Sequence, residues 1–80
     1  MTQVVSIGKV FPSYIAPSYN VRRMTAVLLK QGQIEPLQVH PTVSGYATFA
    51  EDTHGNDILC AARTLGWPTV IITVVPKFIQ

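Results

Sequence analysis

Asp52, His54 and Asp57 fall together in one polar stretch, EDTHGND, the densest cluster of ionisable side chains in the chain. Carboxylates and an imidazole this close could hold a hydrated divalent ion or divide general acid and base roles. They read equally as a solvated acidic loop with no scaffold behind it, and on that reading no catalytic residue and no metal site is assigned. Gly55, Asn56 and Asp57 lead into a helical run. Glycine permits close backbone approach, and a helix start exposes N–H groups that can hold a phosphate. The same residues also suit a loop that merely caps the helix. Cys60 is the sole cysteine, so an internal disulfide is excluded. It has no cation beside it to make a nucleophile and reads as a small core filler. His40, just before Pro41, reads as a half-buried structural histidine.

The basic residues offer a second chemistry. Arg22, Arg23, Lys30 and Arg63 could contact nucleic-acid phosphates without reading sequence. A net charge of +2 is a weak bias, and two adjacent arginines are as easily a solvated helix face. The aromatics suggest a third role. Tyr14, Tyr19 and Trp67 suit a partner interface, joined by Asp52 and His54. Trp67 follows a helix stop and could instead pack the core edge. The tyrosines sit in a proline- and serine-rich loop with no evident core role.

The elements that must position these residues follow from patterning. Val4 to Val10 is β-branched and reads as a strand. Pro12, Ser13, Pro17 and Ser18 mark a loop. Asn20 is the expected cap of a helix over Val21 to Gln31, with Met24, Val27, Leu28 and Gln31 on one face and Gly32 as the stop. A short strand over Leu37 to His40 is expected to end at Pro41. Ser44-Gly45 signals a hairpin, and Tyr46 to Phe49 returns. The polar loop Glu51 to Gly55 then precedes a helix over Asn56 to Leu65, whose Ile58, Ala61, Ala62 and Leu65 repeat at helical spacing. Gly66 stops it. Thr69 to Val75 is a near-continuous apolar run, as in a buried strand. The fold class is therefore α/β, in the α+β sense: a small mixed sheet of about four strands with two main helices, in a single domain over residues 1–80.

Hydrophobic residues make up 48% of the chain and charged residues 12%. That surface is poor in charge, which favours a protein partner or a homodimer. No signal segment or membrane-length apolar run is visible, so a cytoplasmic location is expected and no membrane contact.

Three segments together resemble the ParB/sulfiredoxin-like superfamily, in particular the N-terminal domain of ParB-type proteins. Asn20 to Arg23, NVRR, is similar to the Asn-Pro-Arg start of that domain's first helix. Gly32 to Pro41, GQIEPLQVHP, is similar to the family's Gly-Gln-Ile-x-Pro-Leu-x-Val segment. Gly55 to Val75 resembles its phosphate-contacting helix and final strand, with Gly55 at the family's glycine. The resemblance spans residues 4 to 76 and implies the family's fold and a nucleotide-phosphate site at Gly55, Asn56 and Asp57. The departures lie there. Asn56, Asp57 and Ile58 stand where the family has glutamate or cysteine followed by arginines that clamp phosphate. The cysteine that sulfiredoxin chemistry needs after the glycine is replaced by Asn56. No helix-turn-helix region follows, so site-specific DNA reading is not expected.

The leading expectation is a non-catalytic binding module acting on a protein partner, of the kind phages and plasmids encode. It has no cofactor, or at most a weakly held nucleotide with magnesium. The alternatives are a non-specific DNA-binding protein and a small nucleotide-dependent enzyme or nuclease.

Overall fold

The computed structural model describes residues 2–33 and 35–75. Its strands are β1 (Thr2–Ser6), β2 (Val10–Phe11), β3 (Leu37–Thr42), β4 (Gly45–Thr48) and β5 (Thr69–Val74), and its helices are α1 (Ser18–Gln31) and α2 (Thr53–Thr64). The strands form one mixed sheet in the order β1-β5-β3-β4-β2. The sheet has five strands rather than about four because the single strand expected over Val4 to Val10 is two. A 3₁₀ turn at Ile7–Lys9 breaks it. β1 pairs antiparallel with β5, and β2 pairs parallel with β4 at the opposite edge. The Ile7 amide donates to the Pro68 carbonyl at 3.0 Å, which pins the break.

Glycine at 45 follows from that crossing. A Cβ there would sit 2.3 Å from the Lys9 carbonyl oxygen, at a φ of 153°. The turn between β3 and β4 is Val43-Ser44, with Thr42 paired to Gly45, one residue earlier than Ser44-Gly45. Pro41 does not end β3; it lies within the strand, opposite Tyr46. The pairing of β3 with β5 runs from Leu37 to Val39, so proline falls beyond the last pair on that flank, where a missing N–H is tolerated.

The two helices are unequal. α2 buries Gly55, Asn56, Asp57, Ile58, Leu59, Ala61 and Ala62, whereas α1 buries Leu28 alone. The core joins these apolar residues to Val10, Leu37, Val39, Val70 and Ile72 of the sheet. Each fully buried Leu, Ile or Val contributes about 1.5–3 kcal/mol. The expected apolar face of α1 is only partly used: Met24 packs on the core, while Val27 is 41% exposed and Gln31 is exposed. α1 also starts earlier than expected. Its cap is Pro17, with no side-chain hydrogen bond, and Asn20 lies inside the first turn. Among the described residues no helix is long and apolar enough to cross a membrane.

Candidate functional site

α2 starts three residues before the Asn56 expected from the sequence, inside the stretch read as a polar loop. The helix begins at Thr53, so Gly55, Asn56 and Asp57 are helical, and Asp52 is the cap. Aspartate is among the strongest N-caps because its carboxylate accepts a free first-turn N–H. Here Asp52 Oδ1 accepts from the Gly55 amide at 2.9 Å, and the Asp52 carbonyl accepts from the Asn56 amide at 3.1 Å. The capping carboxylate folds so closely over Gly55 that a Cβ there would meet Asp52 Oδ2 at 2.4 Å.

Asn56 is fully buried and ties three segments together. Its Oδ1 accepts from the Ser13 amide at 3.0 Å and from Thr48 Oγ1 at 2.8 Å. Its Nδ2 donates to the carbonyls of Phe49 at 3.0 Å and Asp52 at 2.9 Å. The Ser13 amide also reaches Thr48 Oγ1 at 2.9 Å, and Ser13 Oγ donates to the Thr48 carbonyl. A fully satisfied network of this kind fixes one arrangement of loop, strand and helix. Asp57 follows it, 7% exposed, and its Oδ1 has no partner among the described residues. His54 Nε2 lies 3.3 Å from Glu35 Oε1, an exposed pair that contributes little. Among the described residues no three His, Cys, Asp or Glu side chains come together as a metal site.

The start of α1 is arranged in the opposite way. Ile15 is 89% exposed and Tyr19 64% exposed. The Arg23 guanidinium lies over the Tyr19 ring, 5.2 Å from its centre, a cation–π contact. Arg22 is exposed beside it, and Tyr14 is half-buried in the loop before. Residues expected to serve two different functions, Tyr19 and Arg23, are therefore neighbours on one surface.

The remaining candidates are scattered. Arg63 Nη2 donates to the Val10 carbonyl at 2.6 Å, which anchors the short β2 to α2. Lys30 is exposed in the last turn of α1, away from Arg22. Trp67 packs against the core. His40 is half-buried, its ring 5.0 Å from that of Phe49. Cys60 is half-buried and free. Sequence reasoning missed Gln33. Its side-chain amide pairs with the backbone of Ile71, donating at 2.8 Å and accepting at 2.9 Å, and so extends the β3 side of β5 by one residue. It also missed the Ser13–Thr48–Asn56 network, whose members lie far apart in sequence.

No protein-family model matches the sequence, and a search of curated proteins finds no match. Solved structures do match. The chromosome-partitioning protein ParB from Caulobacter crescentus, C-terminally truncated and complexed with CTP-gamma-S, superposes with a TM-score of 0.78 at 16% identity. That match covers 98% of this chain and 46% of that one, so the chain spans less than half of it. Sulfiredoxin from Arabidopsis thaliana gives 0.71 at 16% identity, covering 96% of this chain and 86% of that one. A Pnob8-like ParB-N domain gives 0.68 at 20% identity, over 98% of this chain and 30% of that one. The chain has the ParB/sulfiredoxin-like fold.

Proposed function

We propose that the chain is a non-catalytic, partition-protein-like binding module that engages a protein partner through the start of α1. The observation that carries this reading is the exposed Ile15–Tyr19–Arg23 surface on a fold otherwise poor in charge. Exposed aromatic and aliphatic side chains beside arginine have the composition of interface anchors. A nucleoside triphosphate fits the start of α2 poorly. The amides of Gly55 and Asn56 are taken by Asp52, the Asn56 side chain is committed inward, and Asp52 and Asp57 bring negative charge. The start of α2 is then a structural joint kept from the fold's phosphate-binding form.

Cross-linking in the native cell with the wild type and with a Tyr14→Ala, Tyr19→Ala double variant tests the reading. A partner captured by the first and lost with the second is the expected result. A partner retained by both removes this loop from the account. A nucleic-acid reading has one observation behind it: among the described residues Arg22 and Arg23 form no salt bridge. It requires DNA binding that weakens steeply with salt, and salt-insensitive or absent binding would end it.

A further inference from the structure

A groove of about 440 Å³ runs between the first half of α1 and the second half of α2, separate from the start of α2. We infer that it takes an acidic amphipathic peptide segment of a partner protein, with one bulky apolar side chain in the groove and a carboxylate on Arg22. This rests on the binding-module reading above and names the chemistry of its partner.

Ile15, Ala16, Val21 and Cys60 give the groove its apolar lining, with Ser18, Arg22, Thr25 and Thr64 between them. Both threonine hydroxyls are spent on their own helices: Thr25 Oγ1 donates to the Arg22 carbonyl at 2.7 Å, and Thr64 Oγ1 to the Cys60 carbonyl at 2.9 Å. The groove is thus largely apolar, with a guanidinium at its edge. Among the described residues no acidic side chain lines it. The chain's four acids lie elsewhere: Glu35 beside His54, Asp52 in the α2 cap, Asp57 buried, and Glu51 in the turn before α2. Among the described residues no carboxylate pairs with Arg22 or neighbouring Arg23, and an anionic partner is complementary to their charge. A nucleic-acid backbone is the poorer occupant. It has no apolar side chain for the groove, and Arg63, which could have extended a basic strip along α2, is turned onto Val10.

The test is selection of random displayed peptides against the whole chain. A selected peptide is then synthesised and titrated while backbone amide shifts are recorded. The expected consensus sets an aliphatic or aromatic residue beside Asp or Glu. Shifts should centre on Val21, Arg22, Thr25, Cys60 and Thr64. Arg22→Glu and Ile15→Asp, each melting like the wild type, should bind about tenfold more weakly or worse, as for interface hot spots. A consensus without acids, or affinity unchanged by Arg22→Glu, overturns the assignment. Peptides that map to another surface overturn the groove but leave the binding-module reading intact. A short DNA duplex that displaces the peptide from these amides replaces the peptide with nucleic acid as the occupant. No enriched consensus overturns the groove and the peptide-binding reading together.

Discussion

The two helices of this fold begin in contrasting ways. α2 starts at a capping aspartate, and its Gly55 amide and Asn56 side chain are bonded inward, to Ser13, Thr48, Phe49 and Asp52. α1 starts at a proline with no side-chain cap, and what surrounds it points outward: Ile15, Tyr19, Arg22 and Arg23. Burial explains the difference. α2 lies in the middle of the molecule, where an unpaired polar group costs about 1–3 kcal/mol, so its start must be satisfied internally. α1 packs outside α2, and its start is free to meet something else. On one scaffold, the helix start expected to hold phosphate is bonded within the fold, and the other start is the candidate surface.

The contrast can be broken by mutation. The largest effect is expected from Asn56→Ala, which removes all four hydrogen bonds of a fully buried side chain. It should lower the free energy of unfolding in urea by about 3 kcal/mol. A loss well under ~1 kcal/mol would show that α2 is held by apolar packing alone. Asp52→Ala removes the cap and should cost about 1 kcal/mol by the same measurement. Asp57→Ala should act in the other direction. It removes a buried oxygen without a partner and adds a better helix former, for a gain of about 1 kcal/mol in thermal unfolding. Destabilisation there would mean that the carboxylate meets a donor. Tyr19→Ala and Ile15→Ser should be the mildest, within about 0.5 kcal/mol of wild type in urea. A larger cost would make that surface part of the fold rather than a place for a partner.

Much of this was legible in the residues. The spacing of Ile58, Ala61, Ala62 and Leu65 marked α2, the run from Thr69 marked β5, and Gly32 and Gly66 marked both helix ends. Three segments in order carried the fold. What was not legible depended on contacts distant in sequence. The β-branched residues before and after Gly8 gave no sign that the chain changes sheet edge at Ile7–Lys9, because the crossing lies in pairings distant in sequence, β1 with β5 and β2 with β4. Asn56 was legible as a helix start but not as a buried hub, because asparagine is rarely buried without partners and its partners come from residues 13, 48, 49 and 52. The true start of α2 had a local signal, Asp52 three residues before Gly55, but the glycine masked it by reading as loop.

The most direct test of the contrast between the two helix starts is a titration of the protein with magnesium and CTP to millimolar concentration, followed through its backbone amide shifts. The amides of Gly55, Asn56 and Asp57 should stay where they are, because they are bonded within the fold. Saturable shifts localised at those three residues would contradict the account and make the start of α2 a working phosphate site.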